Sequence, residues 1–223
     1  MELRPAHAAA LAALTPVRER HGLVLAGGYA LAAHGLTGQR PGTLTLATAT
    51  GARLETVTAD AVDALATAGI GVQVVRGGPR AARLTMATED GESPVELLKE
   101  AIGQPVQTEL GPVLARHDAV GLKVRALHDR GLAGDLTVAY AAGRHYSRQE
   151  LAQLGARHDE DFSAEELYQR IVGVEHLADG EFAACGLDQD EVVTVRAWAA
   201  SWAVELGEDI AEAEPWWSRS GAE

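Results

Sequence analysis

The chain has 223 residues, a formal net charge of −13, 47% apolar residues and only 4% aromatic ones. That length supports one large domain or two small ones with real cores, and the acid excess argues against nucleic acid as the main partner, which needs a basic face. The lone Cys185 excludes an intramolecular disulfide; with no signal-peptide pattern and no apolar run of about 18 residues, a cytoplasmic protein with no membrane segment is expected.

Residues 5 to 20 read as a helix interrupted near Pro16. A short buried strand follows from Leu23 to Ala26, then a Gly27-Gly28 turn and a short helix from Tyr29 to His34. Thr43 to Ala47 alternates polar and apolar residues, which predicts a strand with one face in the core. Leu54 to Ala68 carries Leu54, Val57, Ala61 and Leu65 at helical spacing, and Gly69-Ile70-Gly71 ends it. Strands are predicted over Val72 to Arg76 and Ala82 to Thr88, with a hairpin signal at Asp90-Gly91 and a last strand from Pro94 to Leu98. The Gly- and Pro-containing stretch from Gly103 to Pro112 reads as a boundary.

Beyond it the pattern is helical from His117 to Leu206. Ser147 with Glu150 and Ser163 with Glu166 have capping-box spacing, and Asp188 is placed to cap the long helix through Trp198 and Trp202. The expected organisation is an α/β domain over residues 1–105 and a helical domain over 106–223, ending in an acidic tail with Trp216-Trp217. Only Lys99 and Lys123 are lysines among 19 basic residues, and Ala and Gly abound, as in a GC-rich bacterial genome.

One ordered series of short segments carries a resemblance. It comprises Leu25-Ala26-Gly27-Gly28-Tyr29-Ala30-Leu31, Ala33-His34-Gly35 and Arg40-Pro41, then Glu96-Leu97-Leu98-Lys99-Glu100, the run from Gly121 to Leu127, Asp129-Arg130 and Asp135-Leu136. The series resembles nucleotidyltransferase-fold proteins, in particular the AbiEii-type toxins of actinobacteria. The resemblance implies an α/β (α+β) fold, with a nucleotidyltransferase-like mixed-sheet domain, an all-helical domain after it and a cleft between them. It also implies a reaction in which two divalent ions manage phosphate charge. In such proteins an Asp-x-Asp pair and a third carboxylate hold the metals, the Gly-Gly turn meets a triphosphate and a downstream Lys contacts its phosphates.

The sequence departs from that layout where the metals belong. The strand reads Thr43-Leu44-Thr45, and no acid occurs between Glu19 and Glu55. Glu96 aligns with the third acid, and Val138 stands where another is expected. Magnesium needs anionic oxygen ligands, which threonine does not supply. No metal ligands and no cofactor are therefore assigned, with a nucleoside triphosphate and Mg²⁺ belonging only to an alternative reading.

The candidate catalytic residues are Glu96, Lys123 and His34, and the candidate ligand-binding residues are Gly27, Gly28, Thr43, Thr45 and Arg125. Each has a plainer reading: Gly27-Gly28 as a tight turn, Thr43 and Thr45 as an ordinary strand face, Glu96 as an exposed strand acid, His34 as a cap. Arg125, Arg130 and Asp135 read as ion-pair formers. Three functions stay open: a pocket turned to binding, and metal-free chemistry on, a small molecule, as in a biosynthetic cyclase or transferase; a metal-dependent nucleotidyltransferase or AbiEii-like toxin with a non-standard site; and a non-catalytic interaction protein.

Overall fold

The computed structural model describes residues 3–89 and 91–213. Asp90 of the hairpin signal and the Trp216-Trp217 tail lie outside the described residues. The chain divides into two units, Met1–Ala119 and Val120–Glu223.

The strands of the first unit are β1 (Val24–Leu25), β2 (Leu44–Thr48), β3 (Val72–Arg76), β4 (Ala81–Thr88), β5 (Gly91–Lys99), β6 (Val106–Thr108) and β7 (Gly111–Val113). They form one mixed sheet in the order β3-β4-β5-β2-β1-β7-β6. β5 runs parallel to β2 and antiparallel to β4, while β1 runs antiparallel to β2 and parallel to β7. This is the expected mixed α/β architecture. Pro94 stands in β5 just before the ladder to β2 begins at Val95, where β5 has a strand on one side only. A residue without an N–H is tolerated there.

Three local expectations change. β2 begins at Leu44, so Thr43 lies outside it, and all five of its residues are buried rather than one face only. The strand sits inside the sheet between β5 and β1, and α3 (Gly27–Ala33) packs against it. An interior strand covered on both faces does not need alternation. The stretch taken as a boundary instead holds β6 and β7, joined through Gly111 at φ 85°. Strands of three residues are too short to show a period.

Three further helices belong to this unit among the described residues. α1 (Pro5–Ala13) and α2 (Thr15–His21) are the two halves of the interrupted helix. Pro16 falls in the first turn of α2, where its missing N–H has no intrahelical partner to lose. α4 (Leu54–Thr67) buries Leu54, Val57, Ala61 and Leu65 and packs on β3, β4 and β5. Ala82, Leu84 and Met86 of β4 are buried, while Arg83 on the opposite face is exposed. β3 is the sheet edge, with Val74 and Val75 51% and 63% exposed and a register break between Val74 and Arg76.

α5 (Arg116–Arg130) runs into the second unit, where Val120, Val124 and Leu127 are buried at helical spacing. α6 (Ala133–Ala142), α7 (Arg148–Ala156), α8 (Ala164–Val172), a 3₁₀ turn (Gly173–His176), α9 (Asp179–Ala183) and α10 (Gln189–Ala213) follow. α10 packs on α8, α6 and α9, with Trp202 buried against Trp198 at 5.1 Å between ring centres. Ser147 and Glu150 form a complete capping box, and Asp188 and Glu191 exchange the same reciprocal bonds. The Ser163 box is half made, because the Ser163 N–H donates to His128 Nε2 instead of to Glu166. No helix among the described residues is long and apolar enough to cross a membrane.

Fully buried His7 links three elements. Its Nδ1 is 2.7 Å from Tyr29 Oη on α3, and its Nε2 is 2.9 Å from Ser93 Oγ on β5. The Arg4 N–H donates to Tyr29 Oη. The phenol proton is then best used on Nδ1, leaving the imidazole neutral with its own proton on Nε2, aimed at Ser93. Burial first, and the charge of Arg4 second, push the His7 pKa below its ordinary value. The unfolded chain therefore takes up a proton near pH 6.5 that the native state refuses. Stability must fall as pH drops through that region. Unfolding midpoints measured from about pH 7.5 to about pH 5.5 should decline in the wild type and decline less in His7→Gln; equal slopes would remove His7 from the pH response.

Candidate functional site

Several of the candidate residues lie on the face of the sheet opposite α4. The β2–β5 register pairs Thr45 with Glu96, and the β4–β5 register pairs Arg83 with Glu96. Laterally paired residues project to the same face at about 4.8 Å spacing between strands. Arg76 on β3 is in turn opposite Arg83. Glu96 is half-buried and, among the described residues, takes part in no hydrogen bond or ion pair. Thr45 is 5% exposed.

The turn after β1 closes the other end of this row. Ala26 N–H donates to the Thr45 carbonyl at 2.8 Å. Gly27 then takes φ +54°, and a Cβ there would stand 2.7 Å from Thr45 Oγ1 and 2.8 Å from Thr45 Cβ. A Cβ on Gly28 would meet the Pro41 ring at 3.0 Å. Both glycines thus have a steric cause: the backbone is pressed against Thr45 on one side and Pro41 on the other.

Gly27, Gly28, Thr45 and Glu96 are therefore brought together, with Thr43 one residue ahead of β2. His34, at the end of α3, lies at a fixed post: its Nε2 donates to the Leu114 carbonyl at 2.7 Å. Lys123 and Arg125 belong to the second unit and are engaged within it. Lys123 Nζ donates to Asp135 Oδ1 at 2.8 Å, and Arg125 Nη1 donates to the His158 carbonyl at 3.2 Å. Arg130 completes the Asp135 cluster through Nε to Oδ2 at 2.7 Å and Nη2 to Oδ1 at 3.0 Å. Burial works to raise the Asp135 pKa, but the Arg130 hydrogen bond and the Lys123 charge outweigh it and hold the carboxyl below its ordinary range. The expected ion pairs are present between Arg130 and Asp135, with Lys123 added.

Another group of potential ligands, His128, Asp129 and Asp159, lies within 4.8 Å of one another. His128 stacks on Phe162, accepts from Ser163 N–H at Nε2 and pairs with Asp129 through Nδ1. Its bonds account for it as a structural residue. Arg83 and Arg76 escaped the sequence reading because no motif marks them; only the strand register puts them beside Glu96.

No protein-family profile matches the chain. No curated protein matches it in sequence. Among solved structures, a candidate nucleotidyltransferase from H. pylori aligns at TM-score 0.56 and 15% identity, covering 94% of this chain and 97% of that one. JHP933 from Helicobacter pylori aligns at TM-score 0.55 and 16% identity, covering 95% and 97%. The fold is that of the nucleotidyltransferases. MenT4, a nucleotidyltransferase toxin from Mycobacterium tuberculosis H37Rv, aligns at TM-score 0.49 and 19% identity, covering 86% and 85%; the fold assignment rests on the first two.

The nucleotidyltransferase reaction implies a pair of hard divalent ions, and the residues at this place do not fit one. The row offers one carboxylate, Glu96, a neutral hydroxyl, Thr45, and a guanidinium, Arg83, on adjacent strands. Two Mg²⁺ ions need several anionic oxygens, and the row supplies one carboxylate.

Two outcomes follow. Gly27→Ala should lower stability by about 1–3 kcal/mol in urea unfolding, from the positive φ and the clash with Thr45 together; a neutral result would show that the turn relaxes freely. Asp135→Asn should cost about 2–3 kcal/mol, because it leaves Lys123 and Arg130 facing each other with their shared anion gone. A loss under about 0.5 kcal/mol would mean that the two cations find water or new acids at no expense.

Proposed function

We propose that the sheet face around Glu96 binds a small molecule and that Glu96 moves a proton on it without metal assistance. The observation that carries this reading is Glu96 itself: a half-buried carboxylate with no hydrogen bond or ion pair among the described residues, on the strand position paired with Thr45. A structural acid in such a position is normally tied down; one left untied is placed to accept a proton from a bound group and return it. Thr45, packed under the Gly27 turn, forms the floor of this face next to Glu96. Cyclisation and group transfer within a biosynthetic route are reactions of this type.

The second reading is a metal-dependent nucleotidyltransferase or toxin with a non-standard site. It is favoured by the likeness in fold to the H. pylori protein described as a nucleotidyltransferase and opposed by the donor set around Glu96.

The deciding experiment titrates the purified chain calorimetrically with ATP, CTP, GTP and UTP, each with and without Mg²⁺, and screens small metabolites by thermal shift. The wild type is run beside Glu96→Ala and Glu96→Gln. No triphosphate should show Mg²⁺-dependent binding, and at least one metabolite should bind with about tenfold loss in Glu96→Gln. A triphosphate that binds only with Mg²⁺ and is lost in Glu96→Ala would put the second reading first.

A further inference from the structure

We propose that Arg83 and Arg76 form an anion subsite next to Glu96, so that the small molecule bound here carries a phosphate or carboxylate group. The inference rests on the reading of this face as a ligand site and adds the class of ligand.

The strand register carries it. Arg76, Arg83, Glu96 and Thr45 occupy one lateral row across β3, β4, β5 and β2. Three inter-strand steps of about 4.8 Å make a strip of about 14 Å from Thr45 to Arg76, the reach of a small molecule with a charged end. Arg76 and Arg83 are both exposed, and neither has a hydrogen bond or ion pair among the described residues. Some other arginines of this acid-rich chain are held by acids, as Arg80 is by Glu100 and Arg196 by Asp179. Two like charges directly opposite each other on antiparallel strands repel. Their repulsion is relieved when an anion sits between them, and guanidinium forks match the oxygen geometry of phosphate and carboxylate.

A plainer explanation is that charged residues on a sheet edge block unwanted strand pairing. It accounts for Arg76, which follows the register break of edge strand β3. It does not account for Arg83, since β4 is paired on both sides, to β3 and to β5. Nor does it explain why Arg83 lies on the same row as an unpaired carboxylate.

The test titrates the full chain at low ionic strength with inorganic pyrophosphate and, separately, with citrate. The proteins are wild type, Arg83→Gln, Arg76→Gln and Glu96→Gln, each checked for an unchanged melting temperature. Pyrophosphate or citrate should bind the wild type, and Arg83→Gln should weaken it about tenfold or more, with a smaller loss in Arg76→Gln. Glu96→Gln should tighten it several-fold, roughly as expected when a neighbouring negative charge is removed. Binding of pyrophosphate alone assigns the subsite to phosphate, and of citrate alone to carboxylate. No binding by either, or binding that ignores both arginines, overturns the proposal. A single-stranded RNA oligomer that displaces the anion from this face at lower concentration also overturns it, in favour of a polymer ligand. The inference and the function it rests on fail separately. A metabolite that needs Glu96 but ignores Arg83 sinks only the subsite, and an Arg83-dependent anion site with no Glu96-dependent metabolite sinks only the proton-transfer reading.

Discussion

The parallel pairing of β2 with β5 is the constraint on which the site depends. Five residues of each strand are matched, from Leu44 with Val95 to Thr48 with Lys99. That match alone sets Thr45 and Glu96 side by side on one face of the sheet. A slip of one residue would turn Thr45 to the α4 side and bring Leu44 or Leu46 onto the face of Glu96. The burial of Leu44, Leu46, Val95 and Leu97 makes such a slip expensive. Gly27 follows from the same geometry, because the Thr45 side chain already fills the space that a Cβ would take.

The groups along this face differ in charge from strand to strand. In this chain β2 supplies the Thr45 hydroxyl, its neighbour β5 the Glu96 carboxylate and the strand beyond, β4, the Arg83 guanidinium. One negative charge, one neutral hydrogen-bonding group and two positive charges in a row form a polarised strip. Such a strip suits a ligand that brings its own negative charge, and a fold can carry these groups without altering its core.

Long or strongly marked features were legible in the sequence. The α4 period, the strand over Ala82 to Thr88 and the Gly27-Gly28 break all correspond to elements of the structure. The motif series from Leu25 to Leu136 pointed to the right fold. β6 and β7 were missed because three-residue strands leave no pattern, and the start of β2 was misplaced because a fully buried strand has no polar face to mark it. At the site, Thr45 and Glu96 could be picked out singly. Their adjacency, and that of Arg83 and Arg76, is a property of register between strands distant in sequence. Likewise the Ser163 spacing predicts a full capping box, but His128, 35 residues earlier, takes the bond that would complete it.

The join between β1 and β7 has a consequence for how the chain folds. Leu25 pairs with Val113, and the separation is 113 − 25 = 88 residues. The β4–β5 hairpin, by contrast, can zip locally as soon as its two strands exist. On a ribosome, β1 has no neighbour on its outer side until the last strand of the sheet has emerged. Contacts so far apart in sequence close late and slow the search for the native state. During that interval the strand that carries the Gly27 turn has an open flank, and the nascent protein depends on its helices to shield it.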